Sequence, residues 1–130
     1  MTQQDTTAET DIRALIAAWA DAARRHDMAG VLAHHDADIV MFDLPPPLQS
    51  RGMAEYQATW EQFFDHHTPS APFDIETLDI TAGEDVAFAF AIMRCGTDSG
   101  GFRFRLTVGL RKIDGQWRVT HEHHSEPSAG

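Results

Sequence analysis

The sequence Asp38-Ile-Val-Met-Phe-Asp-Leu-Pro-Pro-Pro-Leu-Gln-Ser-Arg-Gly52 decides how the rest of the chain can be arranged. Its first six residues predict a short strand. Pro45-Pro46-Pro47 then forbid both a helix and strand pairing, because proline lacks the amide hydrogen that either structure uses. The chain must therefore change direction before a helix begins near Gly52. This arrangement leaves the carboxylate of Asp43 at the end of a strand, beside a stiff loop.

Two helices are predicted before this stretch. The apolar residues of the first helix recur at three- and four-residue intervals: Ile12, Leu15, Ile16, Trp19, Ala22 and Ala23. Residues 6–9 have capping-box spacing, and Arg24 and Arg25 lie where basic side chains favour the negative end of a helix dipole. Asp27 can cap a second, short helix over residues 28–34. Both helices therefore precede the strand that carries Asp43.

A third helix and four strands are predicted after it. The helix begins near Gly52 and carries one largely aromatic stripe: Met53, Tyr56, Trp60, Phe63, Phe64 and His67. The strands cover residues 73–81, 85–95, 102–113 and 116–125. Short turns separate them, and Asp114-Gly115 is a strong hairpin signal. The order predicts a single α+β domain over residues 1–130, with an antiparallel meander in its second half.

The strand over residues 85–95 is apolar on both faces. One face carries Val86, Phe88, Phe90 and Ile92, and the other carries three alanines, Met93 and Cys95. A strand with one face in water would alternate apolar and polar residues. We therefore expect the helices to cover one face and a second copy of the chain to cover the other, in a homodimer through the sheet. The alternative is that small alanines simply tolerate exposure.

Composition excludes several classes of protein. A hydrophobic fraction of 42% with eight Phe and three Trp rules out a disordered chain, and no apolar run approaches the ~20 residues of a membrane span. The net charge of -10 repels phosphate backbones and anionic lipids, so neither nucleic acid nor a membrane is expected as a partner. The chain lacks a secretory signal at its start and has one cysteine, which fits a cytoplasmic protein.

The closing sequence Asp114-Gly-Gln-Trp-Arg-Val-Thr-His-Glu-His-His-Ser125 adds a resemblance. Together with the element order, Trp19, Asp43 and the Arg51-Gly52 start of the third helix, it resembles the nuclear transport factor 2-like superfamily over residues 8–127. The chain is most similar to its SnoaL-like and ketosteroid isomerase-like small proteins. The resemblance implies a cone-shaped, cystatin-like fold, in which three N-terminal helices pack on a curved, mainly antiparallel sheet and enclose a mostly apolar pocket.

The resemblance also implies a role for Asp43. This residue stands where ketosteroid isomerases keep the aspartate that moves a proton. A carboxylate in an apolar pocket can act as a general base near neutral pH. The residues alone leave two other interpretations open, namely that Asp43 caps the proline-rich turn or pairs with Arg51.

Steroid isomerisation itself is not implied. Trp19 and Trp60 stand where that isomerase carries its oxyanion-binding tyrosine and a supporting tyrosine, and an indole lacks the acidic hydroxyl of a phenol. The second oxyanion donor would fall near Val108 or Gly109, which have no polar side chain. Loss of such donors removes much of the transition-state stabilisation. Trp19 and Trp60 are first of all core residues, and pocket lining is their second use.

The last strand carries histidines on both of its faces. Trp117 and Val119 would place His121 and His123 toward the core, because side chains alternate along a strand. The resemblance implies the opposite, since the related association domain of a calcium/calmodulin-dependent kinase has a ligand-contacting arginine at the position of His124. The sequence leaves this conflict open.

We favour His124 and Glu122 in the pocket, with His121 and His123 against the partner sheet. His124 or His121 would then act as an acid or hydrogen-bond donor beside Asp43. His121, Glu122 and His123 all remain candidate binding residues.

A metal or cofactor is not expected. The His-x-His pair has metal-binding spacing, and His34, His35, His66 and His67 could add ligands, but no third ligand lies at a diagnostic offset. Histidine pairs at helix ends more often serve as polar residues facing solvent or the helix dipole. Cys95 is interpreted as a small buried hydrophobe. The chain has neither a glycine-rich phosphate loop nor a nucleophile elbow.

These observations favour a cofactor-free protein that binds a small apolar or aromatic molecule bearing a carbonyl group. Asp43 would be the general base of an isomerase, cyclase or lyase reaction, with His124 as its catalytic partner. The residues expected to line the pocket are Trp19, Tyr56, Trp60, Phe63 and Phe90, with the candidates of the last strand. The alternatives are a ligand-binding module without turnover and a pure oligomerisation domain.

Overall fold

The computed structural model describes residues 3–69, 71–97 and 100–128. Three helices and six strands follow one another along the chain. In order they are α1 (Gln3–Arg25), α2 (Met28–Leu32), β1 (His35–Phe42), β2 (Ser50–Arg51), α3 (Met53–His66), β3 (Phe73–Ala82), β4 (Val86–Thr97), β5 (Gly100–Ile113) and β6 (Gln116–Ser125). The architecture is therefore α+β. Within the described residues, no helix is long and apolar enough to cross a membrane.

The strands form one mostly antiparallel sheet in the order β2-β1-β6-β5-β4-β3. Strands β3 to β6 make the expected antiparallel meander. Strand β1 closes the other side by pairing parallel to β6, which puts Phe42 opposite His123. The sequence did not predict the two-residue strand β2, which pairs Ser50 and Arg51 with the end of β1. This parallel pairing brings the ends of β1 and β6 together.

The helices cover one face of the sheet. Helix α1 packs on β3, and α3 lies against β1 and β2. The stripe predicted for α1 is buried, including Ile12, Ile16 and Trp19. The helix begins at Gln3, before the capping-box motif, so that motif does not mark its start. Asp27 caps α2 as predicted, because its side chain accepts a hydrogen bond from the Gly30 amide.

Gly52 links the proline-rich loop to α3. Its φ of +85° lies in the left-handed region, where a side chain would be strained. Its amide donates to the Ile39 carbonyl over 2.7 Å, and its own carbonyl accepts the first bond of α3 from Tyr56. The loop thus returns to the strand it left, and α3 starts beside the end of β1.

Strand β4 has two apolar faces, and only one is covered within the chain. The alanine face is buried against the helices, with Ala89, Met93 and Cys95 fully inaccessible. On the opposite face Val86, Phe88 and Phe90 are 59%, 48% and 51% exposed. The alternative in which the alanines face solvent is therefore wrong. The face that carries Phe88 and Phe90, here called the outer face, remains open in a single chain.

Candidate functional site

A cavity of about 580 Å³ opens between α3, the end of β1 and the strands of the meander. Five aromatic side chains form most of its wall, and a cysteine lies among them: Trp60, Phe63, Phe73, Phe102, Phe104 and Cys95. Its polar residues are Asp43, Thr59, Gln62, Asp65, His66, His124 and Glu126. Leu44 and Pro45 of the proline-rich loop complete the wall. A volume and lining of this kind suit a small, flat, largely apolar molecule.

Asp43 and His124 meet on the wall of this cavity. Oδ1 of Asp43 lies 3.5 Å from Nδ1 of His124, and the two side chains are 20% and 7% exposed. The same oxygen accepts a 2.8 Å hydrogen bond from the Leu44 amide. Asp43 therefore caps the turn, which was one of the interpretations left open, and it faces the imidazole of His124 rather than Arg51.

Glu122 lies behind His124 and does not line the cavity, which corrects its expected place in the pocket. Its side chain is almost completely buried, and its Oε1 lies 3.1 Å from Nε2 of His124. Its Oε2 accepts a 2.8 Å hydrogen bond from the Tyr56 hydroxyl and lies 2.7 Å from Nε2 of His35. Trp19 Nε1 donates to the Tyr56 oxygen over 3.2 Å. The result is a continuous buried polar cluster that ends at Asp43.

The cluster shifts the titration of its members in opposite directions. Burial opposes a charge on His124, but the contacts with Asp43 and Glu122 outweigh it and raise the pKa of His124 to about 9. Burial likewise favours neutral Glu122, but hydrogen bonds from His124 and His35 lower the pKa of Glu122 to about 2. At neutral pH the wall of the cavity therefore presents an imidazolium backed by a carboxylate.

Tyr56 is kept neutral by the same surroundings. Burial, followed by the charge of Glu122, raises the pKa of its phenol well above 10.0. The indole N–H of Trp60 acts to lower the pKa of this hydroxyl. It makes no hydrogen bond of good geometry with any described residue. Tyr56 therefore serves as a donor to Glu122 rather than as a proton source for the cavity.

A β-bulge decides which histidines face the cavity. Gly109 of β5 pairs with His121 and Leu110 pairs with Val119, so Thr120 has no partner of its own in the ladder. The extra residue shifts the alternation by one position. Val119 is buried before the bulge, and Glu122 and His124 are buried after it. Trp117 and Val119 face the core as the pattern indicated, but the bulge at Thr120 turns His121 and His123 away from it and puts His124 on the buried face.

His121 and His123 consequently lie on the outer face. Both rings contact Phe42 edge-on, at centroid distances of 4.9 and 5.3 Å. Nδ1 of His121 lies 2.7 Å from the Val40 carbonyl oxygen. Neither histidine lines the cavity, which corrects their candidacy as residues that bind a ligand there.

The other predicted site residues divide into three groups. Trp60 and Phe63 line the cavity as expected. Trp19 and Tyr56 do not line it but belong to the buried cluster behind His124. Phe90 lies on the outer face and cannot reach the cavity. Its neighbours Ala89 and Ala91 are buried on the inner face, and side chains alternate between faces along a strand.

Sequence reasoning missed His35. It had been grouped with His34 as a polar residue at a helix end, whereas β1 begins at His35 and its side chain is fully buried. No alternation within β1 marks His35, because Ala37 is exposed and the register with β6 shifts between His35 and Val40. Phe73 of β3 and Phe102 and Phe104 of β5 were also missed as lining, because they lie on strands far from Asp43 in the sequence.

The remaining candidates show no metal-binding arrangement. In the part of the chain that the structure describes, no three His, Cys, Asp or Glu side chains group as ligands of a metal ion. Cys95 is buried in the cavity wall, and burial raises the pKa of its thiol to about 11. The thiol is therefore protonated at neutral pH and behaves as an apolar wall residue.

Comparison with known proteins places this architecture in a family. No curated protein matches the chain. A protein of unknown function from Pseudomonas putida KT2440, described as NTF2-like, is 40% identical over 94% of this chain and 88% of its own, with a TM-score of 0.88.

Two more distant structures share the fold alone. A ketosteroid isomerase-like protein from Erwinia carotovora atroseptica SCRI1043 is 20% identical over 92% of this chain and 95% of its own, with a TM-score of 0.73. An uncharacterized protein with a cystatin-like fold from Caulobacter vibrioides is 19% identical over 93% and 90%, with a TM-score of 0.78. Residues 12–129 match the SnoaL-like domain. The chain therefore belongs to the SnoaL-like family of the nuclear transport factor 2-like superfamily.

Proposed function

We propose that this protein is a cofactor-free acid–base enzyme that acts on a small aromatic molecule bearing a carbonyl group. The observation that carries the proposal is the adjacency of the Asp43 carboxylate and the His124 imidazolium on the wall of an aromatic cavity. A base and an acid side by side can remove a proton at carbon and supply one at oxygen. The reaction class is enolisation, leading to isomerisation or cyclisation.

The geometry suggests how the two groups divide the work. Both contacts of Asp43 use Oδ1, so we assign Oδ2 to the ligand. Asp43 would take a proton from the carbon next to the carbonyl, and the electron pair of that C–H bond would form the enol double bond. Nδ1–H of His124 would donate to the carbonyl oxygen as negative charge develops there. Where a C=C bond is conjugated with the enol, Asp43 returns the proton to the far end of that bond, the double bond moves next to the carbonyl, and the carbonyl re-forms as the oxygen is released from His124.

The cavity also restricts the charge of its ligand. Its lining includes three carboxylates, those of Asp43, Asp65 and Glu126, and no lysine or arginine among the described residues. The only cations that can form there are histidines, and the chain as a whole carries a charge of -10. A ligand with a carboxylate or phosphate group would therefore be repelled. We expect a neutral or cationic aromatic compound.

Exchange of carbon-bound protons tests the proposal without the natural substrate. The probe is 2-tetralone, a flat aromatic ketone with acidic protons next to its carbonyl, incubated in D₂O and followed by proton NMR. We expect the protein to accelerate the exchange, and Asp43→Asn to lower that acceleration by about 100-fold or more. Asp114→Asn, which removes an exposed carboxylate in the turn between β5 and β6 and outside the cavity lining, should leave it unchanged.

Two outcomes would count against this function. Equal exchange by wild type and Asp43→Asn would remove Asp43 as the base. Saturable binding of 2-tetralone, seen as a change in tryptophan fluorescence, without faster exchange would favour a ligand-binding module that lacks turnover. Trp60 lines the cavity and makes this fluorescence signal local.

We also propose that the outer face joins two copies of the chain. Phe90, Thr107 and His123 lie in register across β4, β5 and β6, and Phe42 of β1 continues the row. Exposed aromatic residues in a continuous patch are typical of protein interfaces. This patch is also the observation that favours the second candidate function, an oligomerisation domain.

The single buried thiol of Cys95 fits a reducing compartment such as the cytoplasm.

A further inference from the structure

Both carboxylate oxygens of Glu122 accept hydrogen bonds from side chains of the buried cluster. The Tyr56 oxygen already accepts from Trp19, and its own hydrogen goes to Oε2 of Glu122. His124 reaches Oε1 of the same carboxylate through its Nε2. A carboxylate with both oxygens engaged by buried donors is held rigidly, since each lost bond would leave a polar atom unpaired.

The contacts of His35 fix the orientation of its ring. Its Nδ1 is 2.8 Å from the Ala33 carbonyl oxygen, which can only accept, so this nitrogen carries a hydrogen. Its Nε2 then faces Oε2 of Glu122 at 2.7 Å and the Tyr56 oxygen at 3.0 Å. His35 therefore packs against the same carboxylate oxygen that accepts from Tyr56.

This arrangement determines the state of His124. Because Oε1 of Glu122 accepts, Nε2 of His124 must carry a hydrogen. The only other ring nitrogen, Nδ1, faces the Asp43 carboxylate and the cavity. Any second proton on the ring is therefore located on the side where a ligand would bind.

We propose that Glu122, braced by Tyr56 and His35, is the positioning residue of this site: it fixes the tautomer and orientation of His124 without touching the ligand. The inference rests on the proposed function only in taking His124 as the acid. The raised pKa of His124 is consistent with it. A carboxylate behind an imidazole is a general way to orient the ring and stabilise its charged form.

The groups that face His124 from the neighbouring elements are few. Glu122 lies on its own strand, and Asp43 follows β1. Helices α1 and α3 contribute the edges of Trp19 and Trp60, at centroid distances of 6.2 and 6.3 Å. Phe104 of β5 stacks on the ring at 5.3 Å, and this contact also favours an imidazolium. The carboxylates are thus the charged groups that set its protonation.

Imidazole ¹⁵N NMR of the whole protein tests the inference without any ligand. His124 is assigned by comparison with His124→Gln. In the wild type we expect a midpoint of about 9. Above that midpoint the neutral ring should keep its hydrogen on Nε2, next to Glu122. A neutral ring with its hydrogen on Nδ1 would overturn the proposal.

Glu122→Gln provides the second measurement. We expect the His124 midpoint to fall by about one pH unit or more, since the buried partner loses its charge. Glu126→Gln, which neutralises an exposed carboxylate of the same cavity, is the matched control and should leave the midpoint within about 0.3 units. An unchanged midpoint in Glu122→Gln would refute the positioning role. Because neither readout involves turnover, failure of the 2-tetralone experiment would leave these results interpretable.

Discussion

The Tyr56 hydroxyl donates to the Glu122 carboxylate over 2.8 Å and so joins α3 to β6 across 66 residues of sequence. Both side chains are inaccessible to solvent. Tyr56→Phe would leave Glu122 with one donor fewer and the Trp19 N–H without its acceptor. We expect it to lower the free energy of unfolding by about 1–3 kcal/mol, measured by urea denaturation.

Thr59→Ala is the control for that substitution. Its hydroxyl bonds only to the Tyr56 carbonyl one turn back, at 2.7 Å, in a partly buried position. We expect a loss of no more than about 1 kcal/mol. If the two variants unfold at the same urea concentration, the Tyr56 hydroxyl does not stabilise the cluster.

Tyr56 is the only tyrosine in the chain, so its ionisation can be observed directly by ultraviolet absorbance. Because its pKa is raised well above 10.0, the folded protein should show almost no tyrosinate at pH 10.0. The urea-unfolded chain should be about half ionised at that pH. Half ionisation in the folded protein would mean that the phenol is accessible to water and that the cluster is open.

Stability should decline on the alkaline side. The pKa of His124 is raised from 6.5 to about 9 by folding, so its contribution is complete below 6.5 and is lost as the pH rises through about 9. Urea unfolding at about pH 7 and about pH 10 should differ by up to about 3 kcal/mol. Asp43→Asn, which removes one of the two anionic partners, should reduce the difference. An equal decline in this variant would show that Asp43 does not stabilise the imidazolium.

A separate histidine pair should weaken the protein in mild acid. His67 is placed to donate through Nε2 to the Ala71 carbonyl, so its Nδ1 accepts from Nε2 of His26 over 2.9 Å. Burial and the neighbouring His67 lower the pKa of His26, so its contribution to stability is complete above 6.5 and is lost as the pH falls below that value.

His26→Asn tests this pair. Asparagine tolerates the left-handed backbone that His26 adopts at φ 60°, so the end of α1 should be preserved. From about pH 7.5 to about pH 5.5 we expect the thermal midpoint of the wild type to decline relative to that of the variant, because His124 contributes equally to both proteins. An identical change with pH in both proteins would assign the effect to other groups.

The outer face should hold two chains together. Wild-type protein is expected at twice its 14.5 kDa mass in sedimentation or light scattering. Phe90→Glu introduces a charge at the centre of the exposed patch and should yield monomers. Leu48→Glu places the same charge on the 94% exposed leucine of the proline-rich loop and should remain dimeric. Monomeric wild type at micromolar concentration would refute the interface.

The order of the elements could be predicted from local patterns because each pattern depends on near neighbours. The stripe of Ile12, Ile16 and Trp19 is buried on α1, the Asp27 cap holds α2, and the Asp114-Gly115 turn joins β5 to β6. Hydrophobic periodicity and turn chemistry depend on residues only a few positions apart, so they can be recognised in the sequence. The aromatic walls from Trp60 and Phe63 were predictable for the same reason.

The residues that form the site could be predicted from the sequence only in part. His35 and Glu122 are 87 residues apart, and nothing local marks them as a pair. They meet because β1 pairs parallel to β6, a long-range connection that no residue pattern within either strand specifies. Of the residues proposed on β6 only His124 lines the cavity, and His35 as the partner of Glu122 was not predicted.

The sequence by itself determined that this chain has an apolar, helix-covered sheet, an acid at the end of β1 and histidines at the end of β6. Only the tertiary structure decided which of those histidines meets the acid. The physical reason is the two-residue period of a strand, by which one extra residue sends every later side chain to the opposite face. Thr120 is that residue, and it places His124 beside Asp43 and leaves His123 on the outer face.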